Sequence, residues 1–156
     1  VFICNNSKML KNNFKKLSKL YNRILLEQYI PGREIQVAVM GNKPLGAIEL
    51  IPKRKFYDYK AKYSTNAKTK HIMPAVLSKK KYTQVLKIAK KAHKSLGCRG
   101  ITRSDFRFNN NKFYLLETNT QPGMTKLSLV PEIAKYKGIT FDNLVDWMVK
   151  DASYNR

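Results

Sequence analysis

The stretch from Arg103 to Leu129, RSDFRFNNNKFYLLETNTQPGMTKLSL, constrains the fold more than any other part of the chain. RSDFRF and KFYLLE alternate polar and apolar residues, the period-2 pattern of half-buried strands. Asn109, Asn110 and Asn111 lie between them, and asparagine tolerates the positive φ that a tight turn needs. A hairpin folded about this turn sets Asp105 roughly opposite Glu117. Residues two apart on a strand share a face. Arg103 and Asp105 are therefore expected to look the same way as Glu117 and Asn119, with Phe106, Phe108, Tyr114 and Leu116 facing a core.

Two carboxylates, an amide and a guanidinium on one face form a set with chemical use. Carboxylate and amide oxygens suit a hard cation such as Mg²⁺, which shares its sites with nucleotide phosphates. An arginine there is a planar donor for a phosphate or a developing oxyanion. A single Asp/Glu pair on a hairpin would more often mark a plain surface element. The continuation NTQPGMT tips the balance, because Pro122-Gly123 makes a tight turn with exposed backbone N–H groups beside the acids.

The remainder reads as one α+β domain or part of one. VFIC and ILLEQYI are expected as strands, with a helix from about residue 7 to 21 between them whose apolar face is Leu10, Phe14, Leu17 and Tyr21. REIQVAVM and LGAIELI follow as antiparallel strands joined at Gly41-Asn42, then HIMP as a short strand. The stretch from 53 to 70 is basic, tyrosine-rich and without a period, and a loop of that length reads as a lid. Ser78 caps a helix ended by Gly97, Ser128 begins another, and Thr140 caps a last one with Phe141, Leu144, Val145 and Met148 inward. Antiparallel strands with helices on one face make the class α+β.

Net charge is +21 at pH 7. Such a charge raises nucleic-acid binding as a possibility. The charge is mostly lysine spread along helices and loops, with no nucleic-acid motif, so solvated faces are the favoured reading. Cys4 and Cys98 are far apart and form no metal-ligand spacing. His71 and His93 read as surface or packing residues. No apolar run approaches the length of a membrane span. The start at Val1, in mid-pattern and without a leader, is expected for a fragment of a longer, cytoplasmic gene product.

The run LLETNTQPGMT followed by SLVP resembles the C-terminal signature of D-alanine–D-alanine ligases, of the ATP-grasp superfamily. EQYIPGREIQVAVMG, FYDYKAKY, the Pro-Ala-x-Leu-Ser run from Pro74 and LGCRG resemble the same family in order and near spacing. The resemblance implies the later part of an ATP-grasp domain. Residues 1–52 would belong to the smaller subdomain with the adenine hinge, 53–70 to a lid loop, and 71–156 to the metal- and substrate-binding subdomain. The family's N-terminal domain and glycine-rich phosphate loop would precede the segment resembling Val1, and this chain alone would be inactive.

It further implies ATP and two Mg²⁺ (or Mn²⁺) ions held by Asp105, Glu117 and Asn119, with Arg103 and the Gly123 N–H stabilising transferring phosphoryl and oxyanion. Glu27, Gln28, Tyr29 and Ile30 would line the adenine pocket, with Glu34 on the ribose and Lys62 and Tyr63 closing over the phosphates. Ser128 and Leu129 would bind the second D-alanine's carboxylate. The intact enzyme would be a homodimer making D-alanyl-D-alanine for peptidoglycan, with no membrane partner. The alternatives are a D-alanine–D-lactate ligase, another ATP-grasp carboxylate–amine ligase, or a basic nucleic-acid-binding module.

Overall fold

REIQVAVM has side chains that are buried on both sides: Ile35, Val37 and Val39 on one, Gln36 and Ala38 on the other. A strand buried on both faces must lie inside a sheet that is covered twice. A computed structural model, which describes residues 1–52 and 69–154, has that arrangement. β1 (Arg33–Met40) is the middle of five strands, with β2 (Lys43–Ile51), β3 (Lys70–Ile72), β4 (Ile101–Asn109) and β5 (Lys112–Asn119). Their order is β3-β2-β1-β4-β5, and every pairing is antiparallel.

The helices cover both faces of this sheet, not one. α2 (Lys79–Ser95) lays Val85 and Ala89 against Ile35, Val37, Val39, Ala47 and Phe106. α3 (Leu129–Tyr136) and α4 (Phe141–Asp151) pack Ile133, Ala134 and Leu144 against Ala38, Ile48, Leu50 and Ile101 on the other face. The cause is the apolar content of β1 and β2 on both sides. Each Val, Leu or Ile removed from water contributes about 1.5–3 kcal/mol, so a bare face would forfeit several such terms. On α4 the inward stripe is Leu144, Trp147 and Met148, spaced three and four apart, while Val145 is 37% exposed.

The β4–β5 hairpin closes on Asn110 and Asn111, with φ of 46° and 60°. Both positions are left-handed, as a two-residue turn that follows the strand twist requires. The turn sets Phe108 opposite Phe113 and Phe106 opposite Leu115. A bulge then shifts the register between Asp105 and Phe106, and Asp105 pairs with Glu117. Phe113 therefore shares the α2 face with Phe106 and Phe108, its ring centroid 4.5 Å from that of Phe108. Tyr114 and Leu116, expected against the core, are 37% and 49% exposed. One residue of register is enough to exchange the faces of a strand.

Residues Val1–Ile30 form a unit of their own and Pro31–Arg156 a second. In the first, α1 (Ser7–Leu17) starts at Asn6, whose side chain accepts from the Met9 N–H at 2.8 Å. It stops at Leu17 rather than Tyr21, and the Leu20 and Tyr21 N–H groups both fold back to the Leu17 carbonyl. None of its residues is buried. VFIC and ILLEQYI are not strands. Extended sequence becomes a strand only with a ladder partner, and none pairs with either among the described residues. Residues 53–68 of the lid expected over 53–70 lie outside the described residues; Lys70 opens β3.

Candidate functional site

Three strands carry polar side chains onto the sheet face that α3 and α4 share. β1 supplies Glu34 and Gln36, β4 supplies Arg103, Asp105 and Arg107, and β5 supplies Glu117 and Asn119. Ladder register sets Glu34 beside Arg107, Gln36 beside Asp105, Asp105 beside Glu117 and Arg103 beside Asn119. Directly opposed residues have Cβ atoms about 5 Å apart and share a face. The patch continues the apolar layer of Ala38 on β1 and Ile101 on β4.

Arg103 forks onto Asp105, Nε to Oδ1 at 2.8 Å and Nη2 to Oδ2 at 3.1 Å. Both side chains are about nine-tenths buried, at 12% and 10% exposure. The fork uses one acceptor site on each carboxylate oxygen, and a carboxylate has about four. Asp105 can thus keep Arg103 and still face a cation. Asn119 turns its Oδ1 onto the Gln121 N–H at 2.9 Å, which fixes the amide at the strand end. No group of three or more His, Cys, Asp or Glu is assembled among the described residues. The oxygen set is two carboxylates and one amide, a fit for a hard cation that keeps waters and shares phosphate oxygens, not for an all-protein cage.

The loop after β5 leads to the α3 N-terminus. Ser128 is the N-cap residue, but its side chain makes no cap hydrogen bond. Its Oγ instead accepts from the Thr125 N–H at 3.0 Å and lies 2.9 Å from Thr125 Oγ1. The diversion leaves the first N–H groups of α3 without their usual side-chain acceptor, at the positive end of the helix dipole. Gly123 abuts the same hydroxyl: a Cβ there would sit 3.0 Å from Ser128 Oγ. A side chain here would press on that hydroxyl, and the backbone φ is ordinary.

Other expected site residues are placed differently. Glu27, Gln28, Tyr29 and Ile30 are in the Val1–Ile30 unit, in chain without regular secondary structure, with Glu27 exposed. Lys62 and Tyr63 lie outside the described residues. Sequence reasoning missed Arg107 and Gln36. Arg107 donates to the Gly32 carbonyl at 3.2 Å and stands 3.8 Å from Glu34 Oε2. Gln36 is fully buried, and its Nε2 points to Glu34 Oε1 at 3.5 Å. Its Oε1 has no hydrogen-bond partner among the described residues. An unsatisfied buried acceptor costs about 1–3 kcal/mol. The signal was available: Arg107 has the parity of Asp105, and Gln36 interrupts an apolar strand.

On the opposite face the polar groups pair internally. His93 Nδ1 meets Thr102 Oγ1 at 2.8 Å, and Ser104 Oγ meets Thr118 Oγ1 at 3.0 Å. Burial lowers the His93 pKa, only partly opposed by its backbone bond with Cys98. Arg33 forks onto Glu49 with two contacts of 2.6 Å, which raise the Arg33 pKa against the effect of its own burial. On the site's own face, His71 is held by Glu132 at 2.7 Å between β3 and α3. These pairings account for both histidines as structural residues.

An antiparallel sheet covered on both faces, with an acid–amide cluster at one hairpin and a helix N-terminus beside it, has the architecture of the ATP-grasp class of ligases. Over 96% of the chain it superposes on a D-alanine–D-alanine ligase from Bacillus anthracis complexed with ATP, with TM-score 0.81, 28% identity and 49% of that chain covered. The Coxiella burnetii D-alanine–D-alanine ligase matches with TM-score 0.80 and 28% identity, over 96% of this chain and 40% of that one. The family profile for the D-ala D-ala ligase C-terminus matches residues 1–150. The chain belongs to the D-alanine–D-alanine ligase family. It is 64% identical over all 156 residues to the Pelagibacter ubique ligase, covering 51% of that protein. A Rhodopseudomonas palustris ligase is 49% identical over 140 residues, 86% of this chain and 45% of that protein. The chain thus spans about half the length of the curated relatives it matches.

Proposed function

We propose that this chain supplies the metal- and carboxylate-binding half of an ATP-dependent ligase that joins two D-alanines. The observation that carries the reading is the pair of rungs Asp105–Glu117 and Arg103–Asn119, beside an α3 N-terminus whose cap side chain is turned away. In the reaction the γ-phosphoryl of ATP passes to the carboxylate of the first D-alanine, and ADP leaves. The amine of the second D-alanine attacks the resulting acyl phosphate, loses a proton and expels phosphate. Mg²⁺ or Mn²⁺, two ions in the full reading, would neutralise charge on the phosphate oxygens when bound.

Asp105, Glu117 and Asn119 offer the oxygens for that cation. Arg103, oriented by its fork onto Asp105, and the Gly123 N–H stabilise negative charge on the transferring phosphoryl and on the tetrahedral oxyanion. The backbone at Ser128 and Leu129 takes the second substrate's carboxylate through open N–H groups and the dipole. Glu27 to Ile30 read the adenine, Glu34 the ribose hydroxyls, and Lys62 and Tyr63 belong to a lid over 53–70. Residues 1–52 and 71–156 are then the two flanking subdomain portions. The dipeptide serves peptidoglycan synthesis in the cytoplasm, and the whole enzyme is a homodimer. Among the described residues no helix is long and apolar enough to cross a membrane.

The test is thermal stabilisation of the full gene product by ATP with and without Mg²⁺. A nucleotide at 100 times its dissociation constant contributes about 2.7 kcal/mol. Asp105→Asn and Glu117→Gln should each remove most of the Mg²⁺-dependent part and reduce phosphate release from ATP and D-alanine at least 100-fold. An unchanged Mg²⁺ response in both variants would refute the metal assignment. Product analysis with D-alanine against D-lactate separates the amide-forming from the ester-forming ligase.

A further inference from the structure

We infer that Arg107 and Gln36 are positioning residues that hold the Glu34 carboxylate for a nucleotide's ribose hydroxyls, an inference that rests on the ribose role proposed for Glu34. Glu34 is opposite Arg107 in the β1–β4 ladder and two residues from Gln36 on the same face of β1. One carboxylate oxygen stands 3.8 Å from Arg107 Nη1 and the other 3.5 Å from Gln36 Nε2. The two donors approach from different strands, so they restrain the rotation of the carboxylate as well as its place. Arg107 is itself anchored, because its Nη1 also donates to the Gly32 carbonyl at 3.2 Å. The Arg107 and Glu34 side chains are 15% and 12% exposed, which shields the pair from water and salt.

Gln36 strengthens the case. It is fully buried in the central strand, beside Ile48 and Asp105 in the ladders. Its one described side-chain bond goes to Glu34, and its Oε1 has no partner among the described residues. An aliphatic residue of the same size would suit that site better if packing alone mattered. The amide therefore has its use in the donor it points at Glu34. A carboxylate restrained by an ion-pair contact and a long hydrogen bond loses less freedom when it meets two vicinal hydroxyls.

The experiment measures dissociation constants of ATP and of 2′,3′-dideoxy-ATP by calorimetry, with Mg²⁺ and without D-alanine, on the full gene product. The wild type should bind ATP at least about 10-fold more tightly than the dideoxy nucleotide, the scale of hydrogen bonds to a charged group. Glu34→Ala should bring the ratio near one. Arg107→Met and Gln36→Leu should each lower it to about 3-fold or less, by weakening ATP and leaving the dideoxy nucleotide unchanged. Arg107→Lys, which keeps the charge without the planar guanidinium, should recover part of the preference. Gln36→Leu should melt no lower than wild type, so a lowered ratio there is not a folding defect. Loss of preference already in the wild type, or its survival in Glu34→Ala, overturns the ribose reading and this inference together. If Glu34→Ala loses the preference but the Arg107 and Gln36 variants keep it, or weaken both nucleotides equally, the ribose reading stands and the positioning role is refuted.

Discussion

Single residues on the two sheet faces do different work. On the α2 face, His93 is 2% exposed and bonded to Thr102, and its pKa lies below the ordinary value of 6.5 because burial disfavours the imidazolium. The folded state therefore resists protonation at a pH where the unfolded chain accepts it. The stability due to neutral His93 is complete above the ordinary value and is lost as pH falls toward the lowered folded value. Unfolding midpoints measured from about pH 7.5 down to 5 should decline below about 6.5. In His93→Leu the midpoint should start lower, because Thr102 loses its partner, but decline less steeply. Equal slopes for the two proteins would rule out His93 as the titrating group. Arg33→Met should cost about 1–2 kcal/mol by stranding Glu49, which is 5% exposed, with solvent at Arg33 moderating the loss.

At the scale of elements, the β4–β5 hairpin shows what was legible and what was not. The asparagine run marked the turn, and the alternation marked both strands. The shared face of Arg103, Asp105, Glu117 and Asn119 followed from parity. The bulge did not, because parity counting carries no mark of an extra residue in one strand. Without it, Tyr114 and Leu116 were assigned to the core that Phe113 occupies. ILLEQYI failed as a strand for a related reason: apolar composition cannot report whether a ladder partner exists. The parity of Arg107 and the polar break at Gln36 are legible in the sequence, but their link to Glu34 needs the register of β1 on β4. The turn itself is testable. Asn111→Gly should raise stability by up to about 1 kcal/mol, since φ of 60° is free for glycine, whereas Asn111→Val should cost about 1–2 kcal/mol. Chemical denaturation of the two variants against the parent measures both, and a neutral Val substitution would contradict the left-handed turn.

For the whole molecule, the question is what a charge of +21 means. α2 carries seven lysines among 17 residues and no acid. Lys81 caps the hairpin turn at the Asn111 carbonyl and lies over the Phe108 ring, while most of the others face solvent. A surface of this kind attracts any polyanion through counterion release, without reading its sequence. The proposed site around Asp105 would instead take a nucleotide through a cation and directed donors, which mobile salt screens much less. The two modes separate by ionic strength. At about 20 mM salt a short DNA duplex should bind, and its affinity should fall by about 10³-fold or more by 200 mM, with no preference among sequences. Stabilisation by ATP and Mg²⁺ should persist across the same range and lose most of its Mg²⁺-dependent part in Asp105→Asn. A duplex that stays bound at 200 mM with a sequence preference would make the basic face a specific nucleic-acid site, and the reading of its lysines as a solvated surface would be wrong.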